Sequence, residues 1–383
     1  AATGCSDKES TSGSNYSSAD ASVSDEITTG EDSETNSTSS SDTGSANLAN
    51  MDLTYTDRDL DANRSTSGAT SITLKSSSIS VSGSGASVSG AVVTIQSAGT
   101  YTVSGTLSTG QIIVAAGEQD KVQLVFNGVN ITCSNHAPIY IKSADKVFIT
   151  LTAGTSNSIT DGSSYSLSEA DSAVDGAVFS KADLTINGTG ALTVKANYQH
   201  GIVSKDDLVI TGGVYNITSE SDGLQGKDCV KINDGTFTIN AGADGIKSNN
   251  DEDSSKGFVS VDGGKFTITA GNDGIQAETI LRITKATVTM TTGGGSSNAS
   301  TDSKGNDRPG WGFWGDNADS TETEESAKGL KASGDIILSG GTFHVNSSDD
   351  SIHSNGNVTI SGGTFELSSG DDGIHADTNL TIS

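Results

Sequence analysis

Three columns of apolar residues recur along this chain at one shared interval. Tyr215, Phe237, Phe266, Val288, Phe343 and Phe365 are separated by 22, 29, 22, 55 and 22 residues. A second column, Ile202, Leu224, Ile246, Ile275, Leu330, Ile352 and Ile374, follows gaps of 22, 22, 29, 55, 22 and 22. A third consists of pairs two residues apart, from Leu208/Ile210 through Val230/Ile232, Val259/Val261, Leu281/Ile283, Ile336/Leu338 and Val358/Ile360 to Leu380/Ile382. A fixed period with apolar residues at i and i+2 inside each unit means short strands stacked on copies of themselves, a β-solenoid. Three strands per coil of 22 residues describe an all-β, parallel β-helix of about ten coils, with rungs about 4.8 Å apart.

This architecture resolves a difficulty of composition. Over 383 residues only 32% are hydrophobic and 5% aromatic, too few for one large globular core. A solenoid needs only one inward residue at every second strand position, each worth roughly 1.5–3 kcal/mol when buried. Two Pro beside 47 Gly leave the turns to Gly, Asn and Asp. No apolar run approaches the roughly 18 residues of a membrane-spanning helix. The net charge of -27 argues against nucleic acid as a partner, whose phosphates demand clustered Lys and Arg.

Residues 1–50 hold nine acidic residues against Lys8 alone and are otherwise mostly Ser, Thr, Gly, Asn and Ala. Such a segment cannot bury enough surface to fold and reads as a disordered linker; the β-helix then occupies residues 51–383. Cys5 follows Ala2-Thr3-Gly4 at the head of this linker, which resembles the end of a bacterial lipoprotein signal. That pattern predicts lipidation at Cys5, the one contact with a membrane, and an extracellular place on a bacterial cell surface; a chance Cys is the plainer reading. Cys133 and Cys229 read as small core residues or thiols facing turns rather than as a disulfide.

The polar stretch around Tyr55-Thr56-Asp57-Arg58-Asp59-Leu60-Asp61 is expected to cap the open end of the solenoid. Early coils place strands near Ser71–Lys75, Ala91–Gln96, Tyr101–Leu107, Gln111–Ala115, Val122–Phe126, Val129–Thr132, Ile139–Ile141 and Val147–Leu151, at looser spacing. The gap of 29 carries extra residues around Ser248–Gly257, and the gap of 55 an insertion across about 293–328. The chain stops at Thr381-Ile382-Ser383, inside a strand, so the natural protein is expected to continue.

Beside the apolar ladder runs a polar one, two residues before each Ile or Leu: His200, Asp222, Asp244, Asp273, Lys328, Asp350 and Asp372, with Asp349 and Asp371 before the last two. Carboxylates stacked about 5 Å apart repel by roughly 3 kcal/mol at an effective dielectric near 20. Ca2+, which takes six to eight oxygens at about 2.3–2.6 Å, would offset this. One site is expected from Asp349, Asp350, Asp371 and Asp372, completed by Asp377, and another among Asp222, Asp244 and Asp273. Good Asp-Gly turn chemistry, each Asp capping its own corner, is the competing explanation.

One residue after the ladder stand Val203, Gln225, Lys247, Gln276, Lys331, His353 and His375. Alternation along a strand puts them on one exposed face, where Gln, Lys and His can bond sugar hydroxyls and hold carboxylates; an ordinary solvated face is the alternative. His353 and His375 are neighbours in this column, but two His without a soft third ligand make a weak transition-metal site. Both tryptophans, Trp311 and Trp314, lie in the insertion, where they can stack on sugar rings or simply occupy a Gly-rich loop.

Ser97-Ala-Gly-Thr-Tyr-Thr-Val-Ser-Gly-Thr-Leu, Asp120-Lys-Val-Gln-Leu-Val-Phe-Asn-Gly-Val-Asn-Ile, Ala137-Pro-Ile-Tyr-Ile-Lys-Ser-Ala-Asp-Lys-Val and the repeated Asp-Gly-Ile together resemble the carbohydrate-binding-domain β-helix proteins of clostridial and related bacterial cell surfaces. The likeness spans about Tyr55 to Ser383. It implies a right-handed parallel β-helix similar to polysaccharide lyases, bound Ca2+, and affinity for cellulose-like or pectic polysaccharide of the plant cell wall. Lyases of this architecture use a Lys or Arg as base, for which Lys247 and Lys331 are the weak candidates here. His375, however, stands where the lyase calcium motif commonly has another Asp. The leading expectation is a monomeric, non-catalytic, calcium-binding polysaccharide-binding protein. A calcium-dependent lyase and a passive adhesin or spacer are the alternatives.

Overall fold

The computed structural model describes residues 47–63, 65–299 and 327–383, all within one compact unit, Gly44–Ser383. Cys5, Trp311 and Trp314 lie outside the described residues, as do residues 1–46 of the expected linker and most of the insertion. The unit is a parallel β-helix whose coils pass in turn through three sheets. The first, here the ladder sheet, has twelve strands from Ala86–Ser89 to His375–Ala376. From Lys146–Leu151 onward the middle sheet runs to Asn379–Ile382, and from Ser156–Asp161 onward the aromatic sheet runs to Thr364–Ser369; before these, the long strand Lys121–Cys133 serves both.

Register follows the sequence period residue by residue. Ile202 pairs with Leu224, Leu224 with Ile246, Ile246 with Ile275, Ile275 with Leu330 and Leu330 with Ile352. In the aromatic sheet the rings lie face to face: Tyr215 on Phe237 at 4.8 Å and Phe237 on Phe266 at 4.7 Å between centroids, the latter tilted by 1°. Strands such as Thr236–Ala241 alternate exposed Thr or Asn with buried Phe, Ile and Ala, the pattern of a sheet with one wet face. The insertions fall outside these strands, so both long gaps leave the stacking unbroken.

The glycine of the inner Asp-Gly-Ile units, Gly245 and Gly274, is set by crowding between rungs, while Gly373 in the last coil meets nothing within 4 Å. A Cβ on Gly245 would sit 2.5 Å from the Gly274 carbonyl oxygen and 2.6 Å from Ile268 Cγ2, closer than atoms pack. The opposite corner needs glycine for conformation instead, with φ of 110° at Gly213 and 117° at Gly341.

The N-terminal end corrects two expectations. It is closed by antiparallel pairs, Thr70–Ser76 with Ser78–Ser82 and Ala86–Ser89 with Val92–Ile95, which end the parallel stacking. The stretch around Tyr55–Asp61 is instead a strap along the outside of the middle sheet. Asp59 is buried and joins Lys146 Nζ at 3.0 Å and Thr185 Oγ1 at 2.6 Å; Tyr55 donates to Asp262, and Lys231 to the Asp52 and Thr54 carbonyls. Met51 packs with Cys229, Phe258 and Ile280. A cap would touch only the first coil, whereas the partners of this strap lie as far as 126 residues away for Asp59 and 207 for Tyr55.

The looser early spacing also has a structural cause. Val122–Phe126 and Val129–Thr132 form one bent strand, Lys121–Cys133, which serves both the middle and the aromatic sheets. Cys133 and Cys229 are free and buried.

Candidate functional site

The outward-facing column of the ladder sheet is continuous. Ile113, Tyr140, Phe179, Val203, Gln225, Lys247, Gln276, Lys331, His353 and His375 pair in register from one rung to the next. Its character changes along the way. Tyr140, Phe179 and Val203 are buried with Ala137 and Val174, beneath Tyr165 and Leu167 of the connection that precedes Gly176–Ser180. From Gln225 onward the column is polar and, except for nearly buried Gln225, half-buried. The expected exposed face is therefore a half-buried strip, here the trough, that is covered at its aromatic end by Tyr165 and Leu167.

The acidic ladder runs beside this column, and its carboxylates already have partners. One oxygen of Asp222 accepts the Asp244 N–H at 3.0 Å, Asp244 accepts that of Asp273 at 2.9 Å, Asp273 that of Lys328 at 2.8 Å, and Asp350 that of Asp372 at 2.8 Å. The other oxygen meets a cationic or imidazole group. Lys247 Nζ lies 2.6 Å from Asp244, Lys331 Nζ 3.0 Å from Asp273, His200 Nδ1 3.2 Å from Asp222, His353 Nδ1 2.7 Å from Asp350 and His375 Nδ1 3.3 Å from Asp372. Charge-assisted bonds of this kind offset the repulsion between rungs. The 22-residue spacing of the Asp residues thus serves a ladder in which each carboxylate caps the rung after it, an arrangement between rungs rather than within one turn.

Burial pushes Asp244 upward, and its neighbours Asp222 and Asp273 add to this while Lys247 opposes it. At Asp222 burial is again the largest influence, but His200, Lys247 and the Asp244 N–H outweigh it and hold the carboxyl below its usual range. Lys247 loses solvation, yet Asp244 and Asp222 raise its ammonium above the usual lysine value.

Among the described residues, three groups bring three metal-ligand atoms within 4.8 Å of one another. Asp349, Asp350 and Asp371 form one, drawn from the predicted calcium set; Lys328 Nζ also reaches Asp349 at 2.5 Å. Asp372 and Asp377 instead flank His375, whose Nε2 is 2.9 Å from Asp377. Asp222, Asp244 and Asp273 occupy successive rungs and are not among these groups.

Two clusters escaped the sequence. Asp183, Asp206 and Asp207 meet at the corner between the ladder and middle sheets, where burial and a bond shared with Asp228 push Asp206 up to about 7. Asp206 and Asp228 are 22 residues apart, a signal hidden among other Asp. Tyr165 stacks on Tyr198 at 4.2 Å and on His136 at 5.9 Å at the aromatic end of the trough. Nothing periodic announced it, since its rings come from connections.

The family model of the carbohydrate-binding domain-containing protein matches residues 89–373. A protein of that description from Acetivibrio thermocellus is 47% identical over 127 residues, 33% of this chain and 44% of that relative's length. A solved structure described as the polysaccharide lyase-like protein from C. thermocellum, in a gadolinium derivative, superposes with a TM-score of 0.56 at 30% identity, covering 78% of this chain and 100% of that one. With nearly the whole β-helix inside the family match, the chain belongs to the carbohydrate-binding domain-containing protein family.

Proposed function

We propose that this chain is a non-catalytic polysaccharide-binding protein of a bacterial cell surface that holds cellulose-like or pectic glycan along the ladder-sheet trough. The observation that carries this reading is the in-register column Gln225, Lys247, Gln276, Lys331, His353 and His375. Its groups repeat about every 4.8 Å, close to the rise of successive pyranose rings in an extended chain. The aromatic end, Tyr165 and Tyr198, offers rings of the kind that pack against sugar C–H faces.

Calcium fits the donor set Asp349, Asp350 and Asp371, three hard oxygens within 4.8 Å. A bound ion there would supply a positive centre for uronate carboxylates. Asp222, Asp244 and Asp273 fit less well, because they stand on successive rungs and are not among the groups whose ligand atoms converge within 4.8 Å. Anchoring through a lipid at Cys5 and a monomeric state complete the proposal.

The lyase-like relative raises a catalytic alternative. A lysine base must be neutral to take a proton, and Lys247 is held charged by Asp244 and Asp222. Pull-down on cellulose and on immobilised polygalacturonate, with calcium or with chelator, tests the proposal; retention on neither material overturns it. Unsaturated uronide products absorbing in the near ultraviolet would establish lyase chemistry instead. A melting temperature lowered by chelator without glycan retention would leave a passive spacer.

A further inference from the structure

We infer that Asp350, His353 and His375 form a site for one borderline divalent transition-metal ion, of the Zn2+ or Ni2+ kind, at the polar end of the trough. One ligand atom from each lies within 4.8 Å of the other two. The third ligand that the two histidines lack in the linear sequence is supplied by the ladder. Asp350 is almost fully buried, and its Oδ1 is fixed by the Asp372 N–H at 2.8 Å, leaving Oδ2 directed at His353 Nδ1, 2.7 Å away.

The two imidazoles are held for the same task. His353 and His375 are stacked with centroids 4.9 Å apart and 12° between planes. Beyond its Nδ1, each ring meets an oxygen at Nε2: Asn355 Oδ1 at 3.0 Å for His353 and Asp377 Oδ1 at 2.9 Å for His375. A ligating histidine characteristically donates its other N–H to such an acceptor, which fixes the tautomer and raises the basicity of the metal-binding nitrogen. The Nδ1 atoms face carboxylates, Asp350 Oδ2 for His353 and Asp372 Oδ2 at 3.3 Å for His375, and an ion bound at Nδ1 takes the place of these contacts. The side chains are 18% and 39% exposed, so an ion can enter and complete its shell with water.

Ligand chemistry separates this site from the calcium set that shares Asp350. Imidazole nitrogen suits Zn2+, Ni2+ and Cu2+, whereas Ca2+ takes oxygen. Binding replaces the contact between His353 Nδ1 and Asp350 Oδ2 by two metal bonds, and any proton held between them leaves to solvent. Earlier rungs cannot do this, since the same column there carries Gln225, Lys247, Gln276 and Lys331.

The test uses the full chain, stripped with chelator and dialysed. Zn2+ binding is measured by calorimetry and Co2+ binding by its visible absorption, in wild type, His353→Gln, His375→Gln and His344→Gln. His344 pairs with exposed Glu366 at 2.8 Å on the aromatic sheet and serves as the control. One saturable equivalent is expected, weakened at least about 10-fold in each of the first two variants and unchanged in the third, with Ca2+ failing to compete at equal concentration. Binding that is non-saturable, or equally affected by His344→Gln, overturns the site. If a variant fails to fold, the Co2+ spectrum of wild type decides: nitrogen-donor bands support the site, and an all-oxygen octahedral spectrum refutes it. Glycan retention is a separate readout, so loss of one proposal leaves the other standing.

Discussion

Replacing Asp244 separates the two bonds that the acidic ladder makes. Its carboxylate accepts the Asp273 N–H at 2.9 Å and meets Lys247 Nζ at 2.6 Å, and it is almost fully buried. Asp244→Ala leaves the Asp273 N–H without its acceptor, a cost of about 1–3 kcal/mol. It also removes the counter-charge of Lys247, whose side chain is 26% exposed. A fully buried pair broken this way costs about 3–5 kcal/mol; with solvent in reach the discounted figure is roughly 1–2 kcal/mol. The sum is about 2–5 kcal/mol. Asp244→Asn keeps an acceptor for the N–H and relieves a charge that burial and two flanking carboxylates disfavour, so its cost is at most about 1 kcal/mol. Urea unfolding followed by circular dichroism, with the slope checked for change, measures both. Equal losses in the two variants, or a larger loss for Asn, would refute the bonding of one rung to the next through Asp.

Other parts of the molecule carry their own tests. Phe237→Ala opens a gap in a ring stack spaced 4.8 and 4.7 Å and should cost about 3–5 kcal/mol in the same assay; a loss below about 1 kcal/mol would contradict the packed stack. Asp59→Ala should loosen the strap, and peptide mapping after thiol labelling of the native chain should then show faster modification of Cys229, which lies against Met51; an unchanged rate would mean that the strap is not what shields it. Burial lowers His136 from 6.5. The unfolded chain therefore binds the proton more readily, and the stability held by neutral His136 is full above pH 6.5 and lost as pH falls towards the lowered folded value. His136→Gln should flatten that slope, and a slope unaltered by the substitution would remove His136 as its source.

Solenoid order was legible because one residue period repeats in space without averaging. The Phe237 and Ile246 columns, and both long gaps, map onto strands with no shift of register. Partners across the coils were not. Asp59 is 126 residues from Thr185, which accepts no periodic description, so a charged stretch read as an end cap proved to be a strap. The Asp column was visible, but its chemistry was divided: periodicity cannot tell a carboxylate that caps a backbone N–H from one that awaits an ion. Asp244 and Asp350 both cap a following N–H and meet a cationic or imidazole group, and only spatial convergence, as of Asp349, Asp350 and Asp371, tells the candidate set apart. The Tyr165 and Tyr198 stack comes from connecting segments, where ring positions depend on loop path rather than on strand alternation.

The central claim is that polysaccharide lies along the column from Gln225 to His375. Affinity electrophoresis through gels containing soluble cellulose derivative or polygalacturonate, run with calcium and with chelator, compares wild type with Gln276→Ala and Lys331→Met, and with Thr238→Ala on the exposed side of the aromatic sheet. Retarded migration of wild type and of the Thr238 variant, lost in the two trough variants, is the predicted result; unretarded migration of wild type in every gel, or equal retardation of all four proteins, would contradict it.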